Sequence, residues 1–431
     1  MNKRMLIISP YFAPSNAADM HRIRTSLNYY EQYGWTPEVV AVGLQQSDVV
    51  CDEMLLESIP AKTIIHRVSA LKKSMTGKVG LGSIALRSLP FYFSQVNKLL
   101  SSGLYELIFF STTQFPVLVL ARYWKARYSV KIVFDIQDPW HTDYYRNKPK
   151  TQRPRKYWFS YHLNKFLEPV AMKAADGIIS VSQGYIETLQ QRYPHLEQKP
   201  VAVIPFGMHL QDLAIAKAAL QGRRIPGFQT GKFNLVYVGR GGYDLIPALE
   251  RLLAAMKLGI VNHPILFNKL HVHLLGTSYA AAGKGLSTCS KVIELAGFAA
   301  YFTEKTDRLP YYDAINILKA ADMLFIPGPD DPAFIASKIF PYLMVERPLL
   351  AILHQACSAL PVLEACDQVR VFKLDQHADA LSSDICEYLK SAMEGTEASC
   401  NNLSQQPQSY SSEALTKAQT ILFDKVCSTG I

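Results

Sequence analysis

Four short stretches bring together residue types that could handle a phosphorylated ligand. In YFAPSNAADMHR, the small residues around Asn16, Ala17 and Ala18 would let backbone amides approach a phosphate. Asp19, His21 and Arg22 follow in the first turn of the next helix. The same loop reads equally as a polar connection in which Asn16 or Asp19 caps that helix. In FDIQDPW, Asp138 stands at a strand end ahead of the rigid Pro139, where a carboxylate can orient a hydroxyl or accept its proton. An Asp-Pro turn is the plainer alternative. In YVGRGGYD, Gly239, Gly241 and Gly242 permit close backbone approach, and Arg240 offers a fixed fork of donors matched to phosphate oxygens. The full glycine spacing of a dinucleotide fingerprint is missing. In IPGPDDPAFIASKIFPYL, Ser337 and Lys338 precede an apolar helix. That arrangement suits a diphosphate held by helix-terminal amides and one ammonium group, or else a capped helix with a surface lysine.

These stretches follow apolar runs that must position them. MLIISPYF, TPEVVAVG, YELIFFST, SVKIVFDIQD, GIISVS and VAVIPFG read as strands, with helical HRIRTSLNYYEQYGW, PVLVLARYWKAR and NKFLEPVAMKAA between them. After the irregular RRIPGFQTGK the rhythm restarts. FNLVYVG, LHVHLLG, KVIELAG, ADMLFIPG and RPLLAIL read as strands, and LIPALERLLAAMK as a helix. Such alternation predicts an α/β chain of two facing, doubly wound, Rossmann-like domains, with ligands in the cleft beyond the carboxyl ends of the strands. The expected boundaries are 1–206 for the first domain and 207–405 for the second, with 406–431 forming a terminal helix that packs back toward the first. A length of 431 residues suits two domains.

Composition narrows the class. With 49% hydrophobic and 19% charged residues the chain can bury sizeable cores. Its seven cysteines are scattered and form no Cys-x-x-Cys, which argues against a disulfide framework or a zinc site and for small apolar core residues. No apolar run reaches the roughly 18 residues of a membrane span. The opening MNKRMLIISPYFAP reads as a buried strand rather than a signal peptide, because its apolar run is short, no Ala-x-Ala follows, and a proline comes at once. A cytoplasmic location is expected. The net charge of +9 is concentrated where Arg146, Lys148, Lys150, Arg153, Arg155 and Lys156 run into Tyr157, Trp158, Phe159 and Tyr161. Bases beside aromatics suit the inner face of a membrane. A solvated loop leading into a helix whose aromatics are core is the alternative. No zinc-finger, RRM or KH signature supports a nucleic-acid partner.

Taken in order, IISPYFAP, AADGIISVSQGYIETL, VIPFG, VYVGR and SKIFPYLMVERPLLAI resemble the stations of GT-B-fold glycosyltransferases, in particular the retaining group of family-four type. The resemblance implies transfer of a sugar from a nucleoside diphosphate to an acceptor hydroxyl, with retention and without a required metal or other cofactor. It implies saccharide or lipid-linked acceptors of the kind used in cell-envelope polysaccharide synthesis. By the same resemblance, Gly239, Arg240 and Gly241 would contact the diphosphate, and amides near Ser337 and Lys338 the phosphates or the sugar. The base would lie against backbone between Phe298 and Phe302. Asp138 falls beside the slot of a catalytic or orienting histidine, which is Gln137 here. Two slots that hold glutamates in the group carry Ala333 and Pro341. A sugar-nucleotide epimerase and a non-catalytic GT-B binding or scaffold protein remain the alternatives.

Overall fold

The computed structural model describes residues 2–77, 80–147, 149–150, 153, 156–220, 228, 230–278, 280, 283–329, 339–395 and 408–428. The chain divides into two compact units, residues 1–207 with 409–431, and residues 208–408.

The first unit holds a seven-stranded parallel sheet in the order β3-β2-β1-β4-β5-β6-β7. Its strands are β1 (Lys3–Ile8), β2 (Trp35–Val42), β3 (Ile64–Val68), β4 (Leu107–Ser111), β5 (Lys131–Ile136), β6 (Gly177–Ser180) and β7 (Val201–Val203). The central strands are buried on both faces, which is why they read as unbroken apolar runs such as LIFFS. Edge strands β3 and β7 are largely exposed or half-buried, and β3 carries the polar pair His66 and Arg67. The core gathers Leu6, Ile8, Val40, Phe110, Trp124 and Phe134. A helix at Ser412–Ser428 belongs to this unit. Its Phe423 ring lies 5.0 Å from Phe109 and 5.6 Å from Trp35, both edge-on, and its Gln419 accepts the Tyr30 hydroxyl at 2.6 Å.

The second unit holds a six-stranded parallel sheet in the order β10-β9-β8-β11-β12-β13. Its strands are β8 (Phe233–Val238), β9 (Leu270–Leu275), β10 (Phe302–Lys305), β11 (Met323–Pro327), β12 (Leu349–Leu353) and β13 (Val369–Lys373). The helix Ile246–Asn262 buries Leu249, Leu252, Leu253 and Met256, a stripe at helical spacing, and packs against the helix Ala378–Glu394. One expected strand is corrected. KVIELAG forms the helix Ser290–Leu295, and the next strand is instead Phe302–Lys305. None of the six described cysteines is in a disulfide; Cys289, Cys357 and Cys386 are buried, whereas Cys51 is exposed.

Candidate functional site

In each sheet the strand order reverses once, between β1 and β4 in the first and between β8 and β11 in the second. Loops leaving the carboxyl ends of strands on either side of such a reversal diverge and leave a crevice.

At the first crevice, the loop after β1 is tied to the loop after β4. The buried Asp19 carboxylate accepts from the Thr112 hydroxyl at 2.8 Å, the Thr113 amide at 2.9 Å and the Thr113 hydroxyl at 3.2 Å. Burial raises its pKa, and these hydrogen bonds oppose the shift. Asp19 therefore joins two strand exits rather than capping a helix. Arg22 is also spent inside the protein. It pairs with Asp135 at 2.7 Å and donates to the Ile204 and Pro205 carbonyls at 2.7 and 3.2 Å, and its guanidinium stacks over Phe206. It thus braces the VIPFG station and faces no open crevice. The Asn16 amide donates to Val50 O, and the Ala17 amide to Ser15 O, so neither points to a phosphate. His21 accepts from Arg24 Nε at 3.2 Å. The expected phosphate-loop residues Asn16, Asp19, His21 and Arg22 thus take part in building the edge of the sheet.

Asp138 is placed differently. Gln137 is buried and donates to Asp135 Oδ2 at 2.7 Å, Ser111 Oγ at 3.1 Å and Asp19 O at 3.2 Å, which anchors the strand exit. The next residue, Asp138, turns outward and is exposed. The protein around it still costs its charge hydration. That, with the nearby Asp19 charge, pushes its carboxyl up to about 6. A carboxyl of this kind can exchange a proton near neutrality.

At the second crevice three loops are stitched together. Gly239 N donates to Leu275 O at 2.9 Å, Gly241 N to Thr277 O at 2.8 Å, and Ser278 N to Thr306 O at 2.9 Å. A Cβ on Gly241 would sit 2.9 Å from the Thr277 Cβ, so the close approach requires glycine. Arg240 projects from this turn and is paired with Asp244. Where β11 departs from β8, the buried Tyr342 hydroxyl accepts from Val238 N at 2.7 Å and donates to Val238 O at 3.0 Å. It replaces a neighbouring strand just before Gly239. Asp244 and the amino end of the helix Ile246–Asn262 follow the turn.

Phe302 does not reach this edge. It opens β10 and pairs with Val272, three residues before the pair Lys305–Leu275, which places it about 10 Å down the strand. Residues Thr306 to Arg308, not Phe298 to Phe302, leave β10 at the crevice. Ser337, Lys338 and Ala333 lie outside the described residues. Pro341 lies half-buried within the helix Ile339–Met344 and supplies no carboxylate there. Sequence reasoning passed over Thr112, Thr113, Thr277 and Tyr342; the Thr-Thr pair closing YELIFFSTT was the one visible signal.

Comparison with known proteins gives the fold a context. Residues 73–212 match the sequence model of Glycosyltransferase Family 4. Among curated proteins none matches significantly. Among solved structures, the chain is similar to sucrose-phosphate synthase from Thermosynechococcus elongatus, at 14% identity and TM-score 0.64 over 99% of both chains. It is similar to HepE from Anabaena, described in complex with UDP, at 14% identity and TM-score 0.54 over 99% of both chains. It is also similar to WaaG, a glycosyltransferase involved in lipopolysaccharide biosynthesis, at 13% identity and TM-score 0.56, over 95% of this chain and 98% of that one. These likenesses show the fold. The two reversing parallel sheets and the matched segment make this chain a GT-B-fold protein resembling the glycosyltransferases of family-four type.

Proposed function

We propose that the chain is a glycosyltransferase that moves a glycosyl group, hexosyl or related, from a nucleoside diphosphate sugar to a hydroxyl of a saccharide or lipid-linked acceptor. The setting proposed is cell-envelope polysaccharide synthesis in the cytoplasm, at the inner face of the membrane, with retention at the anomeric carbon and no metal required. The observation that carries the reading is the Gly239–Gly242 turn, stitched to the loops after β9 and β10 at a strand-order reversal, with Arg240 projecting from it. The ligand described with HepE and the pathway named for WaaG support a nucleotide donor and an envelope saccharide.

In this mechanism the bond from C1 to the diphosphate oxygen breaks, and one from C1 to the acceptor oxygen forms. Arg240 stabilises the charge growing on the departing diphosphate, together with the amides near Ser337 and the Lys338 ammonium. Asp138 orients the acceptor hydroxyl, whose proton passes to that carboxylate or to the departing phosphate oxygen.

A second reading, a non-catalytic GT-B binding protein, is favoured by Pro341 in place of a carboxylate. A melting-point screen against UDP-, GDP- and ADP-sugars, followed by product analysis with saccharide acceptors, decides the matter. A stabilising donor and a new glycoside are expected. A stabilising donor without product supports the binding protein, a new sugar nucleotide an epimerase, and no stabilisation by any donor overturns the assignment.

A further inference from the structure

The described residues from Lys156 along the helix Tyr157–Met172 form a surface that the catalytic reading does not use. Between Asp143 and Glu168 the chain carries seven lysines and arginines and no aspartate or glutamate. The helix Tyr157–Met172 buries Glu168, Ala171 and Met172. Glu168 is paired with Arg192, so the one carboxylate of the helix is turned inward and neutralised. Trp158, His162, Lys165 and Phe166 fall within about 100° of arc on this helix and are exposed. The aromatics are therefore not all core. Trp158 is 73% and Phe166 70% exposed, large values for side chains of this size.

A second element adds to the face. Lys156 Nζ donates to Gly77 O at 2.9 Å, and a Cβ on Gly80 would touch the Phe159 ring at 3.0 Å. These contacts hold the segment 73–77, together with Gly80, beside the start of the helix. That segment presents Met75, 71% exposed, with Lys72 and Lys73 next to it. Met75, Trp158 and Phe166 thus stand out on two joined elements among lysines and arginines. No helix of the described residues is long and apolar enough to cross a membrane.

We infer that this face of the first unit seats on an anionic lipid bilayer, with Trp158, Phe166 and Met75 entering the headgroup boundary and the surrounding cations facing lipid phosphates. The charge pattern selects this occupant. Protruding apolar side chains of three different shapes, set in an excess of positive charge that Asp143 and Asp48 offset at Arg146 and Lys73, fit a fluid negative surface better than a shaped protein partner. The inference names the seat for the membrane location proposed above, yet lipid binding is read from this face alone and does not depend on transfer.

The test is co-sedimentation of the full chain with vesicles of phosphatidylcholine alone and of phosphatidylcholine mixed with phosphatidylglycerol. The protein should pellet with the mixed vesicles, remain in solution with the neutral ones, and be released by salt. The variant Trp158→Ala/Phe166→Ala, checked for an unchanged melting point, should lower the partition coefficient about tenfold or more. Lys156→Gln/Lys165→Gln should lower the salt concentration needed for release. Failure of the wild type to pellet with mixed vesicles overturns the inference, as does undiminished binding by the double aromatic variant. So does a wild type that sediments as a dimer while that variant is monomeric, because the face would then join two copies. Vesicle binding without donor turnover would leave this inference standing and count against the transferase.

Discussion

Arg240 and Asp244 face each other across one turn of chain, with Nη1 3.2 Å from Oδ1 and the second guanidinium nitrogen paired to Oδ2. The pair holds the donor fork beside the glycine turn, where a Cβ on Gly242 would strike both side chains. It also places a negative charge where a diphosphate is proposed to sit. Arg240 is 39% and Asp244 29% exposed at the side chain, so the pair stabilises the fold by no more than about 1 kcal/mol and can open for a better anion. Arg240→Ala is expected to weaken nucleoside diphosphate binding by about tenfold or more. Asp244→Asn, which removes the competitor, should tighten it roughly threefold. Titration calorimetry reads both. Weaker binding by Asp244→Asn would show that Asp244 positions the fork instead of competing for it.

The acid limb of activity should belong to Asp138. Its carboxyl is pushed up to about 6 by the surrounding protein and then by Asp19. If the ionised form orients the acceptor, kcat/KM rises with pH through about 6 and levels off above it. Asp138→Asn should abolish that limb together with most of the turnover. Because the folded carboxyl holds its proton more tightly than an unfolded one, this group favours the native state as pH falls toward 4, opposite to its effect on activity. An unchanged acid limb in the variant would remove Asp138 from the mechanism.

Stability in acid should be limited by a histidine in the second sheet. His273 on β9 is buried, its Nε2 lies 3.0 Å from Asn234 Oδ1, and its pKa is pushed down to about 4 by burial, with His271 and Lys305 adding to the effect. The unfolded imidazole titrates near 6.5, so the unfolded state binds more protons between about 6.5 and 4. Stability from this group is complete above that window and falls by up to roughly 1.4 kcal/mol per pH unit through it. His273→Gln should flatten the dependence of the melting point on pH across the window, whatever its effect at neutrality. An equal slope would place the titration elsewhere.

Breaking the buried pair in the first unit should be costly, and breaking both halves less so. Arg22 and Asp135 are each almost fully enclosed, and Asp135 Oδ2 also accepts from Ser111 and Gln137, both at 2.7 Å. Arg22→Met leaves a buried carboxylate without its cation, a loss of about 3–5 kcal/mol. Arg22→Met/Asp135→Asn removes the stranded charge and should recover a measurable part. Denaturant unfolding of the three proteins checks the order. A double variant no more stable than the single one would show that Arg22 acts through Ile204 and Pro205 alone.

The strands legible in the sequence are those buried on both faces. LIFFS and LLAIL announce themselves because nothing polar interrupts them. The edge strands β3 and β13, IIHRV and VRVFK, carry charges toward solvent and were not visible as strands. KVIELAG was misread for the reverse reason. A short apolar run without strict alternation fits either element, and here Ser290 to Leu295 close one and a half turns of helix. As a result the residues leaving the carboxyl end of β10 are Thr306 to Arg308, whereas the resemblance put the base near Phe298 to Phe302. Of the candidate side chains, Arg240 and Asp138 stand at the strand exits that the sequence suggested. Arg22 did not follow, since an arginine at a ligand edge and an arginine bracing that edge look the same until partners such as Ile204 O, far along the chain, are known.

The helix Ser412–Ser428 has a consequence for the order in which the chain matures. In sequence, the second unit is a guest inserted between residues 207 and 409 of the first. Phe423 fills a niche walled by Phe109 and Trp35, and a Cβ on Gly207 would meet Leu415 Cδ1 at 2.4 Å. While the polypeptide is being synthesised, the niche on the host sheet therefore lacks its helix until some two hundred residues of guest have been made. Both sheets have their strands contiguous, but the guest also has all its described helices within one stretch, whereas the host's last helix comes only after the guest. The later half of this protein is the half equipped to finish folding earlier.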